Sequence, residues 1–234
     1  MKTIKFYYGL ILILLLGIYV AICDTSSGKQ GTDDTIAIND TVAIGDTVAA
    51  GETVDLGLSV KWAACNLGAT KPEDYGNYYA WGETKPKAAY KGDNSNWYDV
   101  DYDVLKSKEV INSRGNLMSK YDAATANWGA GWRMPTLDEI KELENRCRWS
   151  WTTMNGVKGY KVTGPSGKSI FLPTAGYHYG YGSVSHSVGS HGFYWSSTAL
   201  DDSGYACGLY FYSDGYDWYG NTRGHGHSVR PVSE

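Results

Sequence analysis

The second half of the chain consists of short apolar and aromatic segments separated by turn sequences, and this spacing constrains the fold more than any other feature. Asn155-Gly156 and Pro165-Ser166-Gly167 are residue types that favour tight turns between antiparallel strands. The strands that the alternating pattern predicts are Leu56–Ala64, Trp149–Met154, Tyr160–Thr163, Ser169–Leu172, Phe193–Thr198, Tyr205–Tyr212 and Ser228–Val232. A protein dominated by strands is therefore expected.

Two helices are predicted before the hairpins. Asp122–Trp128 has a helix-forming composition, and Gly129 ends it. Thr136 and Glu139 form a capping box, which starts a second helix that ends near Arg146. The residues on the apolar face of this helix are Ile140, Leu143 and Cys147. Together with the strands, these helices predict the α+β class.

The globular part is predicted to extend from residue 54 to residue 234 as a single domain. This region holds all nine tryptophans and is long enough to bury a substantial core. Residues 24–53 are predicted to be a spacer, because a six-residue near-repeat fills most of them. The copies are Asp34–Asn39, Asp40–Gly45, Asp46–Gly51 and Glu52–Gly57, and the last copy leads into the first strand of the domain.

The N-terminus predicts export. Lys2 and Lys5 precede a strongly apolar stretch, Phe6–Cys23, as in a signal peptide spanning residues 1–23. Val20-Ala21-Ile22-Cys23 resembles a bacterial lipoprotein box, although Ile22 stands where that pattern has a small residue. Lipidation of Cys23 is therefore predicted, and an uncleaved membrane anchor is the alternative. Either form would place the protein in the cell envelope or at the cell surface.

The segment from Tyr177 to His227 has the composition of a recognition surface. It contains nine of the twenty tyrosines and all five histidines, no lysine, and a single cation, Arg223. Tyrosine offers a large amphipathic contact area, while Ser, Gly, Asn and Asp provide adaptable polar contacts. Tyr and Gly also accumulate in strand-rich domains with many turns, which is the structural alternative. The net charge of −4 and the absence of a basic cluster exclude a nucleic-acid footprint.

Neither a metal nor a cofactor is predicted. His225 and His227 could supply two ligands, with another histidine completing a site, but no ligand motif of fixed spacing is present. Aspartates such as Asp214 and Asp217 are generic oxygen ligands for calcium. In an exported protein two cysteines can pair, and Cys65 with Cys147 is the best candidate for a disulfide, although sequence alone does not determine the connectivity.

Some conspicuous residues are predicted to be structural. Trp132 and Arg133 lead into the capped helix, where such residues usually belong to the core or brace the helix. Arg230 lies in the predicted last strand, and a buried arginine needs partners, so it is expected to bind backbone carbonyls or an acidic side chain.

Five segments, taken in order, resemble the Fibrobacter succinogenes major paralogous domain family, which is abundant in exported proteins of gut Bacteroidetes. They are Val54-Asp-Leu-Gly-Leu-Ser-Val-Lys-Trp62, Asn77-Tyr-Tyr-Ala-Trp-Gly-Glu83, Gly131-Trp-Arg-Met-Pro-Thr136, Tyr194-Trp-Ser-Ser-Thr198 and Ser228-Val-Arg-Pro-Val232. The resemblance implies a C-type-lectin-like fold of the formylglycine-generating-enzyme-like branch. Such a domain has two helices, mixed sheets, ends that meet, and a binding face formed by its late loops and strands. The calcium and sugar motifs of sugar-binding C-type lectins are absent, so that activity is not implied.

A narrower resemblance is to the variable proteins of diversity-generating retroelements, which combine fixed framework residues with substitutable ones. Tyr194–Ser197 and Val229–Pro231 would be framework. The substitutable positions would be Tyr205, Tyr210, Tyr212, Asp214, Tyr216, Asp217, Tyr219, Asn221, Thr222, His225 and His227.

The favoured function is a non-catalytic, surface-anchored module that binds a glycan or protein. Its predicted contacts are Tyr177, Tyr179, Tyr181, Tyr210, Tyr212, Asp214, Tyr216, Asp217, Tyr219, Asn221, His225 and His227. One alternative is a structural subunit of a pilus or surface-layer tip, with the repeats as a donor strand. Another is a formylglycine-generating-type enzyme, which would need a reactive cysteine pair, and Cys207 has no close partner in sequence.

Overall fold

The computed structural model describes residues 51–180, 185–202 and 204–234. The α-helices in these ranges are α1 (Tyr102–Ser107), α2 (Ala123–Trp128) and α3 (Leu137–Arg146). The strands are β1 (Thr53–Val54), β2 (Lys61–Ala63), β3 (Arg148–Met154), β4 (Val157–Thr163), β5 (Ser169–Pro173), β6 (Tyr177–His178), β7 (Ser185–His186), β8 (Gly192–Ala199), β9 (Tyr205–Tyr212), β10 (Gly215–Thr222) and β11 (Val232–Ser233). The α+β class is confirmed, with both predicted helices present and α1 in addition.

The strands form four small sheets, each of them antiparallel rather than mixed. Their strand orders are β1-β2-β11, β3-β4-β5, β6-β7 and β10-β9-β8. Val232 of β11 lies opposite Trp62 of β2, and β1 pairs with the same strand. The first and last described strands therefore share one sheet.

The capping box of α3 is confirmed. Thr136 Oγ1 accepts a hydrogen bond from the Glu139 backbone N–H at 3.3 Å, and Glu139 Oε2 accepts one from the Thr136 N–H at 2.8 Å. The same carboxylate binds the Arg133 guanidinium through both oxygens, at 2.7 and 2.8 Å. Arg133 therefore braces the start of α3, as predicted. Ile140 and Leu143 are buried on the inner face of the helix.

The β3-β4-β5 meander follows the predicted turns. Asn155 and Gly156 have φ values of 48° and 84°, as the two central residues of a type I′ turn require. Met154 and Val157 are opposite each other, so the turn contains two residues and fixes the register of the whole hairpin.

Two apolar clusters form the core. The first surrounds Trp81 and Trp195, and Trp132 packs at its edge. The second joins α3, the β3-β4-β5 sheet and one face of the β8-β9-β10 sheet, from which Leu209 and Phe211 are completely or almost completely buried. The β8-β9-β10 sheet therefore has one face closed by core packing.

Arg230 has the structural role predicted for it. Its side chain is buried and donates to the carbonyls of Ala63, Ala64 and Phe171 at 2.7 to 3.1 Å and to Asn66 Oδ1 at 2.9 Å. Burial lowers the pKa of the guanidinium. These hydrogen bonds link the C-terminal segment to both β2 and β5.

Three strand predictions need correction. The strand predicted at Leu56–Ala64 is shortened to β2, because the Leu56 carbonyl accepts a hydrogen bond from the Ser166 N–H in a loop rather than from a strand. The strand predicted at Ser228–Val232 is replaced by Val232–Ser233, since Ser228 forms only an isolated parallel bridge to Tyr194. Residues 215–222, for which no strand was predicted, form the strand β10.

The predicted Cys65–Cys147 disulfide is absent, because both residues are free thiols. Cys65 Sγ contacts the Ala69 carbonyl oxygen at 3.4 Å, whereas Cys147 directly follows α3 and packs against the second apolar cluster. The two side chains thus have separate packing partners.

The predicted signal peptide, the lipidation site Cys23 and the first two repeats lie outside the described residues, as does almost all of the third. The last copy of the repeat, Glu52–Gly57, contains the short strand β1, which was not predicted. Within residues 51–180, 185–202 and 204–234, the helices are too short or too polar to span a membrane.

Candidate functional site

The face of the β8-β9-β10 sheet that is turned away from the second cluster carries aromatic side chains. Tyr210 of β9 lies opposite Phe193 of β8 and Asp217 of β10. Opposed residues of antiparallel strands project to the same face, and every second residue along a strand joins them. Tyr212 and Tyr219 therefore belong to this face as well.

Rings from neighbouring segments extend this layer, which we call the aromatic face. Its nine members are Tyr177, Tyr179, His186, His191, Phe193, Tyr210, Tyr212, Tyr219 and His225. β6 and β7 supply Tyr177 and His186, and the segment after β10 supplies His225. The layer therefore joins residues that are up to 48 positions apart in the sequence.

The rings form a continuous series of contacts. His191 is stacked beside both Tyr210 and Tyr212, with centroids 5.7 and 5.8 Å apart. Phe193 lies at the centre, 5.0 Å from Tyr210 and 4.8 Å from Tyr177. Tyr177 continues the series to His186 at 5.1 Å. Such offset and edge contacts are those that aromatic rings prefer, so each ring limits the movement of its neighbours.

Part of this layer is open to solvent. Tyr179 is 50% exposed and Tyr212 is 38% exposed, whereas the other seven members are half-buried. Rings that are fixed on one side and open on the other can bind a partner without losing much conformational freedom.

Burial keeps several members of the aromatic face uncharged at neutral pH, and the face contains no lysine or arginine. Arg223, the single cation of the Tyr-rich segment, is completely buried and donates to the carbonyls of Tyr205 and Val100 at 2.9 and 2.6 Å. Burial lowers the pKa of His191, and burial followed by the neighbouring His186 lowers the pKa of His225 to about 4. Burial also raises the pKa of Tyr210. These side chains therefore act as neutral donors and acceptors.

His227 is not an exposed contact, which corrects the prediction. It is completely buried and stacks on Trp195, with centroids 4.0 Å apart. Its Nε2 accepts a hydrogen bond from Asn221 Nδ2 at 3.1 Å, and the same amide donates to the Tyr219 hydroxyl at 2.9 Å. Burial lowers the pKa of His227 well below its usual value. His227 and Asn221 therefore support Tyr219 from beneath.

Tyr216 lies on the opposite face of the sheet. It pairs with Phe211 and stacks on Trp149 of β3, with centroids 4.2 Å apart and planes 14° apart. Its neighbour Trp218 lies under Lys141 of α3, whose Nζ is 4.8 Å from the ring centroid. Although Tyr216 is partly exposed, its ring packs between two sheets, so the structure separates it from the other predicted tyrosines.

The remaining predicted contacts lie at the edge of the aromatic face or outside the described residues. Asp214 is exposed in the turn between β9 and β10, where Ser213 Oγ donates to its carboxylate at 3.1 Å. Asp217 is exposed opposite Tyr210. Tyr181 lies in the undescribed segment 181–184.

Three members of the aromatic face, His186, His191 and Phe193, are absent from the predicted contacts. Phe193 could have been found from the pairing of β8 with β9, because it precedes Trp195 by two residues and faces Tyr210. The two histidines depend on the path of the loop between β6 and β8, for which the sequence has no local pattern.

Among the residues that the structure describes, no three His, Cys, Asp or Glu side chains converge as a metal site would require. Cys207 is buried, and burial raises the pKa of its thiol to about 11. The thiol is therefore protonated at neutral pH, in contrast to the lowered pKa of a nucleophilic cysteine.

Comparison with known proteins gives one family match. A family model described as Domain of unknown function (DUF8237) matches residues 148–232, which are 85 of the chain's 234 residues. The match begins at β3 and includes every member of the aromatic face. Neither the curated proteins nor the solved structures contain a significant match to this chain.

Proposed function

We propose that this protein is an exported, surface-anchored module that binds a glycan or a protein ligand through the aromatic face. The observation that carries the proposal is the layer of nine rings, which is fixed from beneath and open to solvent above. Aromatic faces stack on the C–H surface of a sugar or on apolar side chains, and hydroxyl and imidazole groups orient the partner by hydrogen bonds.

The charge distribution supports a ligand with few charges at its point of contact. Between Thr174 and Leu200 the sequence contains no Asp, Glu, Lys or Arg, and Arg223 is buried. Asp214 and Asp217 lie at the edge, where a carboxylate can accept hydrogen bonds from a ligand hydroxyl or amide without being buried alone.

The pairing of β1 and β11 with the same strand, β2, supports the C-type-lectin-like fold, in which the ends of the domain meet. The burial pattern supports a division into framework and substitutable positions. The residues Tyr194–Ser197 and Val229–Pro231 are all buried. Ten of the eleven substitutable positions are exposed or half-buried, and His227 is the exception. Seven of these ten lie on or beside the aromatic face, whereas Tyr205, Tyr216 and Thr222 belong to the opposite face of the sheet. A scaffold that is rigid beneath the seven variable positions can change its ligand without losing its fold.

We also propose that Cys23 is lipidated or that the apolar N-terminus anchors the protein in the membrane, so that the domain lies at the cell surface. The role is non-catalytic in this proposal. The buried, protonated Cys207 supports that choice over a formylglycine-generating-type reaction.

The test is binding of the full-length protein, in detergent, to glycan arrays and to arrays of cell-surface proteins. The variant Tyr210→Ser/Tyr212→Ser removes two rings of the aromatic face. We expect it to lose at least tenfold in affinity for any ligand found, since an aromatic anchor contributes about 2 kcal/mol or more.

The matched control is Tyr205→Ser, on the same strand but on the opposite face. Tyr205 is 43% exposed, and only its backbone carbonyl binds Arg223, so the substitution keeps that contact. If the control loses as much affinity as the double variant, or if the double variant binds as well as the parent, the aromatic face is not the binding surface.

A further inference from the structure

A second recess lies outside the aromatic face and shares no residue with it. This cleft, of about 390 Å³, is bounded by the loop after Trp81 and by the 3-10 helix Ser119–Tyr121. It is lined by Gly82, Glu83, Thr84, Lys85, Lys87, Asn96, Trp97, Lys120 and Tyr121. Its volume is within the range of small-ligand sites, about 300 to 1,000 Å³.

Three lysines line the cleft, although the protein as a whole has a net charge of −4. Glu83 neutralises one of them, because its carboxylate lies 2.8 Å from Lys87 Nζ and also accepts the Asn96 N–H at 2.9 Å. The exposed Lys85 and Lys120 remain as two positive charges without an acidic partner in the lining.

The cleft also presents aromatic rings in a fixed arrangement. Trp97 and Tyr121 meet edge to face, with centroids 5.4 Å apart, and Lys120 Nζ lies 5.0 Å from the Tyr121 centroid. Trp97 Nε1 donates to the Gly82 carbonyl at 3.2 Å. A Cβ at Gly82 would lie 2.7 Å from the Trp97 ring, so glycine is required for this close approach.

We propose that this cleft binds an acidic saccharide, that is, a sugar ring carrying a carboxylate or sulfate group. Lys85 and Lys120 bind the anionic group, since ammonium groups form charge-assisted hydrogen bonds with such oxygens. The Trp97 ring contacts the C–H surface of the sugar, Tyr121 holds the Lys120 ammonium group beside it, and the exposed Asn96 side chain can bind a ring hydroxyl. The aromatic face contains no lysine or arginine and lacks this combination.

The test uses the full-length protein in detergent, with trigalacturonate as the acidic probe and galactotriose as its neutral counterpart, measured by titration calorimetry. We expect trigalacturonate to bind and galactotriose to bind at least tenfold more weakly. The variant Lys85→Gln/Lys120→Gln should lose tenfold or more in affinity, and raised salt should weaken binding of the parent.

The control Lys158→Gln/Lys161→Gln removes two exposed lysines from β4 and should bind as the parent does. The aromatic-face variant Tyr210→Ser/Tyr212→Ser should also retain trigalacturonate binding, which separates this site from the proposed function. The inference is overturned if both sugars bind equally, if neither binds, or if Lys85→Gln/Lys120→Gln binds as the parent does. Equal binding of a hexaglutamate peptide would likewise overturn it, since the site would then select charge alone.

Discussion

The two faces of the β8-β9-β10 sheet are built from the same kinds of residue and have different roles. On the closed face, Phe211 and Leu209 pack against α3 and the neighbouring sheet. On the aromatic face, Tyr210 and Tyr212 alternate with them along the same strand and contact the His191 ring and each other. The period of two along a strand, rather than the composition, thus decides which tyrosines can meet a ligand. The following predictions test this difference.

The largest loss of stability is expected for a substitution on the face of the sheet that packs into the core. Phe211→Ala should lower the free energy of unfolding by about 3 to 5 kcal/mol, since the ring is completely buried and its loss leaves a cavity. Tyr212→Ala, one residue away on the aromatic face, should cost less than about 1 kcal/mol because the ring is already partly solvated. Denaturant unfolding of the two variants measures the contrast, and equal costs would show that the faces are not distinct.

Acidification should lower the stability of the fold through protonation of His225 on the aromatic face. His225 has a folded pKa of about 4, whereas an unfolded histidine titrates near 6.5, so the unfolded state binds more protons between these values. This contribution to stability is complete above about pH 6.5 and falls as the pH drops towards 4, by about 2 kcal/mol after allowance for partial exposure. Denaturant unfolding at pH 7.5 and 4.5 measures the loss.

The variant His225→Gln should show a smaller loss between these two pH values, because its side chain does not titrate. A loss identical to that of the parent would mean that His225 is not responsible. His227 remains in that variant and should retain its own pH dependence, since its pKa is also lowered by burial.

Substitution of Tyr216 and of Tyr210 should affect different properties, because the first tyrosine packs between two sheets and the second lies on the aromatic face. Tyr216→Ala should lower stability by about 1 to 2 kcal/mol through loss of the stacking with Trp149, and should leave ligand affinity within twofold. For Tyr210→Ala, the loss in binding free energy should be larger than the loss in the free energy of unfolding. Melting curves give the stability of each variant and binding isotherms give its ligand affinity. The prediction is contradicted if the two variants lose stability and affinity to the same extent.

The smallest change in stability is expected for a substitution of Glu144, which lies in α3 near β10. Burial, and then the nearby Asp217, raises the pKa of Glu144 to about 7, and its Oε1 is buried without a hydrogen-bond partner. A raised pKa stabilises the fold at low pH, and this contribution is lost as the pH rises through about 7. Glu144→Gln should therefore gain up to about 1 kcal/mol at pH 8. Unchanged stability at pH 8 would contradict this role.

Local sequence patterns predict the helices and strands that are fixed by contacts between residues close in sequence. The capping box at Thr136 and the turn at Asn155-Gly156 fix α3 and the β3-β4 hairpin through contacts between residues close in sequence. β10 has no such local reason. Its sequence, Gly-Tyr-Asp-Trp-Tyr-Gly-Asn-Thr, is rich in turn-forming residues, and pairing with β9 along its whole length overrides them.

The candidate site is predicted only in part, because it too depends on contacts between residues far apart in sequence. Composition identifies the Tyr-rich segment and most of its tyrosines. It does not distinguish Tyr216 from Tyr210, because their separation depends on the register of β9 with β10. His227 is buried through its stacking on Trp195, which is 32 residues earlier in the chain. Long-range contacts of this kind leave no periodic pattern in the sequence.

The sheet that joins β1, β2 and β11 has a consequence for biosynthesis. β11 follows β2 by 170 residues at the paired positions Trp62 and Val232, and Arg230, just before β11, forms its hydrogen bonds to Ala63, Ala64 and Phe171. These contacts cannot form until residues 230–233 have left the ribosome. During synthesis, β2 therefore waits for its second strand partner, and the Ala63 and Ala64 carbonyls wait for the Arg230 guanidinium, until the chain has been made as far as residue 233.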